Sequence, residues 1–118
     1  MAALESFRDR GFRFALAIVR EYRLISTQSD LPRHLRDQML RAGTSVGANL
    51  AEARSASSRR DLVAKNAIAL REARECRFWL RLIEADQPDL AYTVSPLLAE
   101  CQELIALLTS AVRRLKGE

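Results

Sequence analysis

Apolar residues return every three or four positions through most of this chain, the spacing of one helix face rather than the alternation of a strand. Leu4, Phe7, Gly11, Phe14, Ala15, Ile18, Val19, Tyr22 and Ile25 follow that rhythm and predict a first helix over residues 4–27. Residues 28–32 break it. Asp30 then reads as an N-cap, with Pro32 in the first turn of a second helix over 32–54. That helix carries an apolar stripe of Leu35, Met39, Ala42, Val46, Leu50 and Ala53, and beside it a polar stripe of Gln38, Ser45, Asn49 and Glu52. Gly43 and Gly47 sit on the other flank, and each costs about 1 kcal/mol of helix propensity relative to Ala. Two such costs four residues apart predict a close helix–helix contact.

After a break at 55–58, Ser57 or Ser58 offers an N-cap and Asp61 suits the first turn of a third helix over 58–85. Its main apolar face is Leu62, Ala69, Ala73, Cys76, Leu80 and Ile83, and a second stripe of Ala64, Ala67, Phe78 and Leu82 lies about half a turn away. Only one side of a helix can face a monomer's core, so the second stripe is expected to be an oligomer interface. The other reading is that a terminal segment of the same chain covers Phe78. Residues 86–93 read as a loop, and Ser95 with Pro96 as the start of a fourth helix over 96–116. Its buried face would be Leu97, Cys101, Leu104, Ile105, Leu108, Ala111, Val112 and Leu115. Four amphipathic helices with short connections predict an all-α, antiparallel up-and-down four-helix bundle, in one domain over 1–118.

Composition narrows the chemistry. With 118 residues of which 48% are apolar, the chain can fill one core without a disulfide or a metal. Its longest apolar run, 14–19, falls far short of the ~20 residues a membrane span needs. Residues 1–13 contain Glu5 and Asp9 and no export pattern, so a cytoplasmic location without a membrane partner is expected. Cys76 and Cys101 both fall on apolar faces and are expected to be free thiols in the core. His34 is the only histidine, which excludes a two-histidine zinc site within one chain. Glu72 and Glu75 lack the following histidine of a di-iron bundle, and the Arg–His spacing of HEPN ribonucleases is missing upstream of His34. Glycines at 11, 43, 47 and 117 form no phosphate loop. No catalytic residues, metal or cofactor are expected, and the chain reads as a non-enzyme.

Polar residues on apolar faces say more. Glu72 projects between Ile68, Ala69, Cys76 and Trp79, where a carboxylate needs donors, and Ser45, Asn49 and Glu52 are the expected partners in a structural polar network between helices 2 and 3. Charge is uneven as well. The 19 Lys and Arg, 17 of them Arg, exceed the 15 acids by four. Residues 1–81 hold 16 cations and 9 anions (+7), and 82–118 hold 3 and 6 (−3). Two clusters stand out: Arg54, Arg59, Arg60 and Lys65 around the second break, and Arg74, Arg77 and Arg81 along helix 3. Arginine forks suit the phosphates of RNA or DNA. The competing reading is a solvated face with local ion pairs, or arginines that bridge subunits. Phe78 and Trp79 read as packed, so base stacking is not expected.

The run from Arg41 to Ala53 (RAGTSVGANLAEA) and the run from Ala67 to Leu80 (AIALREARECRFWL) resemble the bacterial four-helix-bundle proteins encoded in 23S rRNA intervening sequences. The match spans nearly the whole chain. Ser45, Asn49, Glu52 and Glu72 fall on the family's polar positions, while Ala53 stands where the family usually has Gly, so helix 2 is expected to run further. The resemblance implies a homopentameric ring. It also implies kinship with the accessory variability protein of diversity-generating retroelements, a basic pentamer that works with a reverse transcriptase and nucleic acid. The expectation is therefore a pentamer that binds RNA or DNA weakly and docks a protein partner. Five copies would raise +4 to about +20. The alternative is a structural or protein-interaction adaptor that binds no nucleic acid.

Overall fold

The computed structural model of the chain describes residues 6–118. Four helices run Phe7–Gln28 (α1), Arg33–Arg54 (α2), Arg59–Asp86 (α3) and Ala91–Leu115 (α4), with a single 3-10 turn at Pro88–Leu90 before the last. No strand occurs among the described residues. The chain is an all-α four-helix protein, and none of its helices is long and apolar enough to cross a membrane. Leu4, the first residue of the expected helix 1, lies outside the described residues.

Two helix starts follow from local chemistry. Ser6 Oγ accepts from the Asp9 backbone N–H at 3.1 Å, and Ser58 Oγ accepts from the Asp61 N–H at 3.0 Å. Asp61 in turn accepts from the Ser57 N–H at 3.0 Å, so the serine and the carboxylate satisfy each other's end of the turn. The other two starts depart from expectation. Asp30 does not cap α2; it accepts from Gln87 Nε2 at 2.9 Å, and Pro32 takes the cap position with no side-chain bond. Helix 4 begins at Ala91, so Pro96 lies inside it and removes only the bond to the Tyr92 carbonyl. Buried Leu90 and Val94 extend the face of Leu97 and Cys101 toward the N-terminus, and that burial outweighs the Ser-Pro signal. Ser95 Oγ donates instead to Glu84 Oε2 at 2.6 Å.

Ile18, Met39, Val46, Leu80, Ile83, Leu104 and Leu108 are sealed from solvent at the centre. α1 lies tightly on α2, and the glycines set the distance. A Cβ on Gly47 would sit 2.8 Å from the Gly11 carbonyl oxygen and 2.9 Å from Ala15 Cβ, and one on Gly43 would sit 2.7 Å from Ile18 Cγ1. Tyr22 OH donates to Asp37 Oδ1 at 2.7 Å further along the same contact. Position numbers therefore fall along α2 as they rise along α1. α2 packs broadly on α3 and α3 on α4, whereas α1 and α4 meet sparingly. Arg10 clamps that open seam. Its guanidinium bonds Glu100 at 2.7 and 3.2 Å and Glu103 at 2.8 Å, which holds it firmly in the charged form.

Candidate nucleic-acid interface

The arginines of the sequence separate into two places. Arg54 ends α2, while Arg59 and Arg60 open α3, all exposed, with Lys65 half-buried one turn on. Arg59 Nε donates to the Leu115 carbonyl at 3.0 Å. That bond brings the end of α4, with exposed Arg113, Arg114 and Lys116, beside the α2–α3 turn. The sequence concentrates its positive charge on residues 1–81, with a net −3 over 82–118. In the fold the cationic end of α4 joins it, and one end of the molecule is basic.

Arg74, Arg77 and Arg81 lie elsewhere, on the outer side of α3. At helical spacing Arg60, Ala64, Ala67, Arg71, Arg74, Phe78, Leu82 and Ala85 form one ridge. Phe78 is 57% exposed and Leu82 37%. The reading of Phe78 as packed is corrected: only Trp79 turns inward, meeting the Phe78 ring edge-on at 5.0 Å and the His34 ring at 5.9 Å. Its indole Nε1 is buried without a partner. Phe78, Arg81, Leu82 and Ala85 border a shallow hollow of about 310 Å³. Among the described residues Arg54, Arg60, Lys65, Arg74, Arg77 and Arg81 form no ion pair. The apolar stripe and Arg74 thus share one surface, with Arg81 beside it at the hollow.

The polar set on α2 and α3 assembles differently from the expected network. Asn49 Nδ2 donates to the Ser45 carbonyl at 2.9 Å and to Ser45 Oγ at 3.2 Å, both within α2. Glu52 is exposed. Glu72, with a side chain only 12% exposed, takes its donor from Arg41 Nη1 at 3.1 Å, and the same guanidinium also pairs with Glu75. Arg41 lies one turn before Ser45 on the same flank, so helical spacing held the signal for it. Distance was the obstacle for the cysteines, 25 residues apart in sequence. Both are buried, Cys101 Sγ donates to the Ala73 carbonyl at 3.2 Å, and the hydrogen bond of Cys76 to Cys101, followed by burial, pushes the Cys76 thiol up. Neither thiol is set up as a nucleophile. Among the described residues no cluster of His, Cys, Asp and Glu could hold a metal.

Glu21 is a polar core residue that the sequence reading passed over. It completes the spacing 14-18-21-25 of the buried α1 face, is 7% exposed, and accepts one bond from Thr93 Oγ1 at 2.8 Å. Burial raises its pKa, an effect that the Thr93 bond only partly offsets. A carboxyl raised in the fold stabilises it below the unfolded pKa of about 4.3, and loses that contribution as pH rises through the folded value. Glu21→Gln keeps an acceptor for Thr93 without the charge. It is expected to raise the melting temperature at neutral pH and to leave it unchanged near pH 3. Equal melting at both pH values would contradict the buried charge.

Fold and surface together define a small all-α four-helix protein with a basic end and an arginine-lined apolar ridge. Residues 7–110 match the family described as 23S rRNA-intervening sequence protein, and the chain belongs to that family. It is similar to a crystal structure from Bacteroides thetaiotaomicron VPI-5482, a protein with unknown function from the S23 ribosomal protein family. The two are 32% identical with a TM-score of 0.84, over 92% of this chain and 99% of that one. No curated protein matches.

Proposed function

We propose that this chain is a non-catalytic accessory protein that assembles into a homo-oligomeric ring of five antiparallel up-and-down bundles and holds RNA or DNA on its basic end. The observation that carries this reading is the convergence of Arg54, Arg59 and Arg60 with Arg113, Arg114 and Lys116, drawn together by the Arg59–Leu115 bond. Opposed numbering along α1 and α2 supports the antiparallel course. Assembly is supported by two separate exposed apolar strips: Phe78 and Leu82 on α3, and Phe12 (68% exposed) and Leu16 (37%) on α1. Two different patches on one chain meet head to tail, and such a contact closes into a ring when its rotation allows. The count of five is the one that the sequence resemblance implies, and with the cytoplasmic location it is part of this proposal.

Salt-dependent binding tests the reading. A labelled mixed-sequence RNA should bind at low salt with affinity falling linearly on a log–log plot. Replacing Arg54, Arg59 and Arg60 by Gln should flatten that slope by about 2 to 3, roughly one for each lost phosphate contact. Absence of binding at low salt would reject it. Light scattering tests assembly: the parent chain should be oligomeric at micromolar concentration and Phe78→Ser with Leu82→Ser monomeric, whereas a monomeric parent would end the ring proposal. A second reading, an adaptor whose arginines bridge subunits, is favoured by the position of Arg74 on the same ridge as Phe78 and Leu82 and of Arg81 at the hollow beside them. It predicts assembly that weakens in Arg74→Gln with Arg81→Gln, and no RNA binding.

A further inference from the structure

The start of α1, the last turn of α2, the early turns of α3 and the end of α4 meet around a hollow of about 320 Å³. That volume lies at the lower end of the range for small-ligand sites, roughly 300 to 1,000 Å³. Its lining divides by chemistry. Leu50, Ala53 and Leu62 give an apolar floor, while Arg8, Arg54 and Arg114 stand around it. None of the described lining residues is acidic. Arg8 has a weak ion pair with Asp9 at 3.6 Å, and Arg54 and Arg114 have none among the described residues.

One further side chain points to a ligand. Asn66 is 6% exposed, lines this hollow, and makes no hydrogen bond among the described residues. Its carboxamide is not sealed off but opens on the hollow, with donor and acceptor both free of protein partners. Asparagine disfavours a helix interior relative to Ala. The fold gives the amide no partner to offset that cost, which leaves it free for something that enters the hollow.

We infer that this end of the molecule is a binding site for a nucleoside monophosphate group. Arginine forks match phosphate oxygens. The carboxamide presents a donor and an acceptor side by side, the pair that reads a base edge. Leu50, Ala53 and Leu62 offer an apolar surface for a base, and such a floor suits a polyhydroxylated sugar phosphate poorly. The same chemistry is carried by a free mononucleotide and by the 5′-terminal nucleotide of a strand. The inference deepens the proposed function, because Arg54 and Arg114 also belong to the basic end, and it is told apart from that reading by its small ligands.

Isothermal titration of the full chain with AMP, UMP, adenosine and inorganic phosphate, alongside short oligonucleotides with a 5′-phosphate or a 5′-hydroxyl, tests the site. Saturable binding below millimolar is expected for a mononucleotide or for the 5′-phosphorylated strand, with adenosine, phosphate and the 5′-hydroxyl strand at least tenfold weaker. Preference for AMP or UMP identifies a free nucleotide as the source, and preference for the phosphorylated strand identifies a strand end. Asn66→Leu and Arg114→Gln should each weaken binding about tenfold or more, with unfolding midpoints no lower than the parent's. Asn66→Ser, which keeps a hydrogen-bonding group, should retain part of the affinity. Phosphate binding as tightly as the nucleotide, affinity unmoved by Asn66→Leu, or no saturable binding of any probe would overturn the inference. Failure of mixed RNA to bind at low salt would count against the proposed function and not against this site, because the Asn66 and Arg114 variants are read with small ligands.

Discussion

Gly47→Leu should destabilise the protein by about 3 kcal/mol or more and lower its melting temperature by roughly 10 °C. The reason is the identity of the neighbour. A Cβ at this position meets the Gly11 carbonyl oxygen at 2.8 Å, and backbone cannot swing aside as a side chain can. Even Gly47→Ala, which gains about 1 kcal/mol of helix propensity, faces an overpacking cost of about 1–3 kcal/mol. Gly43 gives the contrast. Its would-be Cβ meets the Ile18 side chain at 2.7 and 2.8 Å, so part of the cost of Gly43→Ala should be recovered in the double variant with Ile18→Ala. Thermal melts of the four variants decide the matter. A Gly47→Leu protein melting within a degree or two of the parent would mean that α1 and α2 are not held at this distance.

Phe14→Ala is the second large effect, expected to cost about 3–5 kcal/mol. Phe14 is 2% exposed and borders a hollow of about 250 Å³ on the α1–α4 seam, together with Ala17, Pro96 and Leu97. Neighbours could normally close part of the space left by a truncated ring. Here Arg10, fixed to Glu100 and Glu103, holds the two helices at their separation, so the space should persist. Denaturant unfolding gives the magnitude and native-state hydrogen exchange the place, with α1 amides losing the most protection. Tyr92→Ala, at a site 71% exposed, should change stability by no more than about 0.5 kcal/mol. A loss below about 1 kcal/mol for Phe14→Ala would show that the seam is anchored elsewhere.

The helices were legible because each has an apolar rhythm at helical spacing, and the third carries a serine cap, Ser58, whose partner lies three residues on. Gly43 and Gly47 were legible as a close contact, though not which helix would fill it. What escaped the sequence depended on separation along the chain. Cys76 and Cys101, Arg41 and Glu72, and Arg59 and Leu115 are far apart in number and meet only once the helices fold against one another. Pro96 misled for a different reason: a local Ser-Pro signal was overridden by the burial of Val94, a tertiary effect with no local mark. Glu21 and Asn66 were visible as letters, yet their meaning lay in what surrounds them, a threonine for one and an empty hollow for the other.

The ridge of α3 has a thermodynamic corollary. Whatever seats on Phe78 and Leu82 also covers Arg74 and Arg81, because Arg74 lies on the same strip and Arg81 borders the hollow beside it. Two partners that need the same strip are linked with negative sign, and linkage is reciprocal. On the proposed ring, a neighbouring subunit on the ridge would weaken phosphate binding there by the same factor by which a bound strand would weaken assembly. Titrating RNA into the assembled protein should therefore shed subunits wherever the strand competes for the ridge, and leave the assembly whole where it is held only on the basic end.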